Sequence, residues 1–301
     1  MRNSQTLIDD VLRLTADAMA NDERSYYGQV ARTINVLHST EHTADSVRGI
    51  WRRHRSRVKT EYFKPQKTFG LKRRVPYKSR GNILFIGDPH APFTLPGYLD
   101  FLYRLQTVYD VTDVFCVGDI VDQYALSFFD KMPEAYDIEN ELLKAMDFIR
   151  EMAQVFPYVN ITMGNHDNRY LRQATKSGLP RRMLRDLDEV LEAPDTWEWN
   201  LSYIIDEHIL LEHGTSSGAN ATIDRMWGLP YNVVQGHTHN YGGVSYRNNG
   251  FSTRWAMNVG CGFDADSYAA RYATDRKYQP TLGAGLYLKG EELPLFVPFK
   301  G

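Results

Sequence analysis

The chain has 301 residues, enough for one large domain or a small domain joined to a larger one, and its 43% hydrophobic and 24% charged content is that of an ordinary soluble protein. No apolar stretch approaches the ~20 residues of a membrane span, the polar first ten residues lack a secretory segment, and two cysteines, Cys116 and Cys261, exclude a disulfide framework, so a cytoplasmic protein away from membranes is expected. The net charge of −2 hides an asymmetry: residues 1–80 carry 17 Lys and Arg against 8 Asp and Glu, whereas residues 81–301 carry 18 against 29.

Three helical patterns come first, over residues 6–20, 27–37 and 44–57. In the third, Thr43 is a suitable N-cap, and Val47, Ile50, Trp51 and His54 recur at i, i+3, i+4, i+7, which makes one apolar stripe and leaves Arg48, Arg52 and Arg55 on another face. This unit, over residues 1–58, resembles a helix-turn-helix DNA-binding module; a helical cap or a protein-docking domain fits the same pattern. Residues 48–80 hold 13 basic residues against the single acid Glu61, a positive surface that favours a polyanion such as DNA, or else a solvated basic linker. From 59 to 80, Pro65, Gly70 and Pro76 with Tyr62, Phe63, Phe69 and Tyr77 at no regular period read as a linker, its aromatics better suited to docking on the following domain than to stacking on bases.

After Gly81 the pattern changes to short apolar runs with helical segments between them, at 83–86, 114–117, 159–163, 209–211, 232–234, 255–259, 282–288 and 293–297, which is the signature of an α/β domain over 81–301. Asn248, Asn249 and Gly250 mark a hairpin turn. Polar clusters close five of the runs: Gly87-Asp88-Pro89-His90, Gly118-Asp119-Ile120-Val121-Asp122, Gly164-Asn165-His166-Asp167, Glu212-His213-Gly214 and Gly236-His237-Thr238-His239. A ligand just past a strand end sits on rigid backbone and projects into the crevice where α/β sheets bind substrates, and the glycines let the chain turn sharply beside it. Carboxylate, amide and imidazole together suit manganese, iron, zinc, cobalt or nickel better than calcium or magnesium alone.

In order and completeness these five clusters resemble the signature of the calcineurin-like metallophosphoesterase superfamily. The resemblance implies an αββα four-layer sandwich, here preceded by a small all-helical domain, and two divalent transition metal ions, with manganese favoured. It further implies that Asp88, His90, Asp119 and His239 hold the first ion and that Asp119, Asn165, His213 and His237 hold the second, with Asp119 bridging. An activated hydroxide would attack phosphorus while His166 protonates the leaving oxygen. Asp167 would orient that imidazole and Asp122 would orient a ligand, unless both are ordinary turn residues. Ser/Thr phosphatases of the superfamily carry Arg and Glu where this chain has Gln123 and Asp167, so a phosphodiesterase or nuclease acting on DNA is favoured, and the domain arrangement resembles phage-encoded members. A phosphomonoesterase with a docking N-terminus and a DNA-binding regulator with an inactive metal site are the alternatives. Arg169, Arg172, Arg181 and Arg182 follow the expected general acid and are placed to grip flanking phosphates, or to pair with Asp186, Asp188, Glu189 and Glu192. Other walls suggested for the site are Tyr124, Phe128, Phe129 and Tyr136, and the late group Tyr268, Arg271 and Tyr272.

Overall fold

The structure, a computed structural model, describes residues 2–20, 26–54, 71–127, 137–267, 269 and 279–300. The chain divides into two compact units, Met1–Gly70 and Leu71–Gly301. In the first, α1 (Arg2–Ala20), α2 (Tyr26–His38) and α3 (Ala44–His54) bury Val11, Val30, Ala31, Ile34, Val47 and Ile50 against one another. The expected cap of α3 is present and reciprocal: Thr43 Oγ1 accepts from the Ser46 N–H at 3.2 Å, and Ser46 Oγ accepts from the Thr43 N–H at 3.0 Å. Arg48 pairs with Asp45 at 3.2 Å and lies over the Tyr27 ring. Arg55 and the side chains of Trp51, Arg52 and His54 lie outside the described residues, as do Tyr62, Phe63, Phe69, Phe128, Phe129, Tyr136, Tyr268, Arg271 and Tyr272. No helix among the described residues is long and apolar enough to cross a membrane.

The second unit contains two six-stranded sheets. One runs in the order β1 (Val75–Tyr77), β6 (Ser202–Ile205), β7 (Ile209–Glu212), β8 (Asn232–Gln235), β10 (Thr253–Val259), β9 (Gly242–Asn248). The other runs β12 (Leu293–Pro298), β11 (Gly283–Leu288), β2 (Asn82–Ile86), β3 (Val111–Cys116), β4 (Asn160–Thr162), β5 (Glu198–Asn200). Strand β2 shows why the apolar runs are continuous rather than alternating. Ile83 and Phe85 point between the sheets, where they meet Phe115, Tyr203, Leu211, Val234 and Met257. Leu84 and Ile86 point the other way, into a core with Leu102 and Leu105 of α4 (Tyr98–Val108) and Ile149 and Met152 of α5 (Ile138–Val155). A strand buried on both faces needs apolar side chains at every position. On the far side of the first sheet, Leu210, Val233 and Ala256 pack on Met226 of a short helix, Ala221–Trp227. The order of layers is helix, sheet, sheet, helix, as the resemblance implied.

The stretch 59–80 is not a linker throughout. Val75–Tyr77 pairs in parallel with β6, Val75 opposite Tyr203, and Tyr77 donates its hydroxyl to Asp113 at 2.7 Å. Tyr77, the one aromatic of that stretch within the described residues, is packed into the second unit.

Candidate metal centre

All five polar clusters leave strands at the same end of the sandwich: β2, β3 and β4 from one sheet, β7 and β8 from the other. The loops are then tied together by their backbones. His90 N–H donates to the Asp119 carbonyl at 2.9 Å and Asp122 N–H to the Ala91 carbonyl at 2.9 Å. Ligand carboxylates extend the lacing: Asp119 accepts from His166 N–H, and Asp88 from His237 N–H, each at 2.7 Å. Such approach requires glycine at two positions. A Cβ on Gly164 would collide with the Asp119 carboxylate and backbone nitrogen, and one on Gly236 with the Asp88 carboxylate. His90, Asp119 and His237 adopt left-handed backbone angles, φ of 53°, 46° and 65°, a conformation that is costly for residues with a Cβ and that concentrates at functional sites.

The side chains form two overlapping clusters, Asp88–His90–Asp119–His239 and Asp119–His213–His237, and a third group, His90–Asp122–His166, shares His90 with the first; within each, the donor atoms lie within 4.8 Å of one another. Asn165 Oδ1 is 3.0 Å from His213 Nε2 and joins the second. All seven residues expected as metal ligands are thus brought together. Their ring nitrogens are aimed by partners behind them. His90 Nδ1 lies 2.8 Å from Asp122 Oδ2, and His213 Nδ1 donates to the Val117 carbonyl at 2.8 Å, so both Nε2 atoms face the centre. Two observations fit the donor set to cations. His90 Nε2 and His239 Nε2 face each other at 2.9 Å, and Asp88 Oδ1, fully buried, has no hydrogen-bond partner. An orphaned buried carboxylate oxygen among convergent imidazoles is costly unless positive charge is supplied.

The electrostatics agree. Burial works against ionisation of Asp119 and Asp88, yet His213 and the neighbouring imidazoles hold both carboxyls below their ordinary value. Burial likewise opposes a charged His213, but Asp119 and Asp88 lift it to about 10, so without cations this imidazole holds a proton that a bound metal would displace. Burial, with the charge of His166, pushes His90 down to about 4, which keeps its imidazole neutral and able to ligate.

His166 lies at the rim, 12% exposed, its Nδ1 3.1 Å from the Asp122 carbonyl and its Nε2 3.0 Å from an Arg169 nitrogen. Arg169 also donates to Asp122 Oδ1 at 3.0 Å. Asp122 therefore serves ligand His90, His166 and Arg169 together; burial tends to raise it, but His166 and His90 hold it well below the usual carboxylate range. Asp167 differs from expectation. Its carboxylate turns away from the imidazole it was expected to orient and accepts from Gly164 N–H at 2.8 Å and Val121 N–H at 3.2 Å, clamping two ligand loops; burial, with the charge of Asp119, lifts it to about 7. Of the four arginines expected to grip phosphates, Arg169 stands at the centre, whereas Arg181 is held in its own turn by Asp186 and the Leu184 carbonyl. Arg172 and Arg182 are exposed.

Two supporting residues, Glu141 and Asn258, escaped the sequence reading, and Gln123, named there as a departure from the phosphatase pattern, also braces the site. Gln123 donates to the Asp167 carbonyl at 3.0 Å and accepts from Tyr170 N–H at 2.9 Å. Buried Glu141 accepts from the Tyr124 and Ala125 N–H groups at 2.6 and 2.8 Å. Asn258 braces the Gly236 carbonyl at 3.1 Å and also Thr238. Neither Glu141 nor Asn258 carried a sequence signal: Glu141 lies within a helical segment and Asn258 within the apolar run 255–259.

Residues 81–270 match the model of the calcineurin-like phosphoesterase family. The chain belongs to that family of metal-dependent phosphoester hydrolases. Among solved structures it is similar to an archaeal phosphodiesterase at 15% identity, over 72% of this chain and 99% of that one, with a TM-score of 0.39. It is also similar to a metallophosphoesterase from Sphaerobacter thermophilus, at 18% identity over 73% and 88% of the two chains, TM-score 0.40, and to a phosphoesterase from E. coli, at 13% identity over 72% and 98%, TM-score 0.38. No curated protein sequence matches the chain.

Proposed function

We propose that the protein is a phosphodiesterase of the nuclease kind, acting on DNA with two divalent transition cations, manganese foremost. Asp88, His90, Asp119 and His239 would hold one and Asp119, Asn165, His213 and His237 the other. The observation that carries this reading is the sharing of buried Asp119 between two donor clusters with His166 at their rim. Bound in this way, a pair of divalent cations polarises phosphoryl oxygens and makes water nucleophilic near neutral pH.

The protein's own groups supply the rest. Asp122 fixes the His166 ring through its carbonyl, leaving Nε2 toward the rim. Arg169 donates to that Nε2, and a substrate phosphoryl oxygen is a stronger acceptor for a guanidinium than an imidazole nitrogen. Arrival of the phosphate then draws Arg169 onto the substrate and frees the Nε2 lone pair to take a proton from solvent, which His166 passes to the departing oxygen. Burial opposes protonation of His166, but Asp119 and Asp122 outweigh it and raise the group above its ordinary value, which suits a general acid.

DNA is favoured by the run of basic residues over 48–80 and by the three-helix unit bearing Arg48 on its exposed side. Gln123 and Asp167 support a diester substrate, since they stand where the Ser/Thr phosphatases carry Arg and Glu. The test compares bis-p-nitrophenyl phosphate with p-nitrophenyl phosphate in Mn²⁺, alongside single- and double-stranded DNA. Turnover of the diester and of DNA is expected; hydrolysis of the monoester alone would overturn the nuclease reading.

A further inference from the structure

A groove of about 630 Å³ opens beside the metal centre, and His213 forms part of its wall. Arg73 and Arg74 line it from the segment that precedes the family-matched region, together with Ser202, Thr215 and the Glu212–Arg225 pair. Their backbone is firmly placed. Lys72 N–H donates to Asn200 Oδ1 at 3.1 Å, Arg74 N–H to Ser202 Oγ at 2.8 Å, and Leu201 N–H to the Lys72 carbonyl at 2.8 Å. Arg74 holds a left-handed φ of 56°, a turn that leads directly into β1.

The charge in this groove is one-sided. Glu212, the acid in its wall, is neutralised by Arg225, whose Nη2 lies 2.8 Å from Oε2, and it also accepts from Gln235 at 2.9 Å. Arg73 and Arg74 are exposed and have no carboxylate partner among the described residues. Two unneutralised guanidiniums beside a phosphoryl-transfer centre attract an anion, and their fork geometry matches phosphate.

We propose that Arg73 and Arg74 form a subsite for a phosphate that flanks the scissile one, so that the groove selects substrates with more than one phosphodiester. The inference rests on the phosphodiesterase reading and names what that site recognises: an extended oligonucleotide strand rather than an isolated diester.

The test uses the full chain with Mn²⁺ and bis-p-nitrophenyl phosphate as reporter substrate, with a tetrathymidylate as competitive inhibitor. The Arg73→Ala/Arg74→Ala variant is expected to raise the tetrathymidylate Ki by about tenfold or more relative to any change in KM for the reporter, as loss of charge-assisted phosphate bonds implies. Arg73→Lys/Arg74→Lys, which keeps the charge and loses the fork, should recover part of the affinity. An unchanged Ki, or a parallel change in Ki and reporter KM, would overturn the subsite while leaving the phosphodiesterase reading in place. Failure of the wild-type protein to hydrolyse the reporter would count against that reading instead. In that event, anisotropy of labelled tetrathymidylate on the same three proteins still decides the subsite: equal binding by wild type and the alanine variant overturns it, and weaker binding rescued by lysine supports it.

Discussion

At the scale of single residues, ligands and the groups that aim them have different expected failures. Asp119→Asn weakens a donor shared by both clusters and should lose metal, read by elemental analysis of the dialysed protein. His166→Ala removes a group outside both clusters, so metal content should hold while kcat falls by about 10²–10⁴-fold. Asp122→Asn leaves every ligand in place but loses the charge behind His90, and should cost about 10–100-fold in metal affinity. The reverse pattern, metal lost in His166→Ala and kept in Asp119→Asn, would show the roles misassigned. Residue types and glycine spacing made legible all seven residues that the fold brings together. The aim of Asp167 was not, because adjacency to His166 in sequence says nothing about where a carboxylate turns once two loops cross. Arg181 follows the other reading open from the sequence, pairing with Asp186 rather than facing the site.

At the scale of elements, β1 is held to its sheet by the turn between β6 and β7. Asp206 in that turn accepts from the Ser79 N–H and hydroxyl and pairs with Lys78 and Lys289, each at 3.2 Å. Partial burial opposes ionisation, but these partners hold Asp206 down to about 2. A depressed carboxylate contributes stability that is present above its ordinary value near 3.8 and is lost as pH falls toward about 2. Asp206→Asn should therefore cost about 2 kcal/mol at neutral pH by urea unfolding. The difference from wild type should narrow as pH falls below 3.8 toward about 2; a pH-independent difference would assign the effect to packing. Strand β1 itself was read as part of a linker, since its three residues include Pro76 and stand among cations, and its partner Tyr203 lies far along the chain. Strand β9, with no buried residue, and three-residue β5 gave no apolar run either. Strands β2, β3, β10 and β11, largely buried, were legible for the opposite reason.

At the scale of the whole molecule, the chain combines a basic first part with an acidic catalytic part, and that division was visible from charge counts alone. Full-length protein should bind DNA with an affinity that falls steeply as salt rises, because the contacts replace counterions at phosphates. Binding that ignores salt would remove the case for a basic DNA-binding surface. The fold class followed from strands alternating with helices, whereas the pairing of five loops around one centre required the three-dimensional order of the two sheets.

Two donor clusters sharing Asp119 should each take up a divalent cation. Equilibrium dialysis against Mn²⁺ followed by elemental analysis reads this directly. Two manganese ions per chain, falling sharply in Asp119→Asn, is the expected result; a wild-type protein that retains none would contradict it.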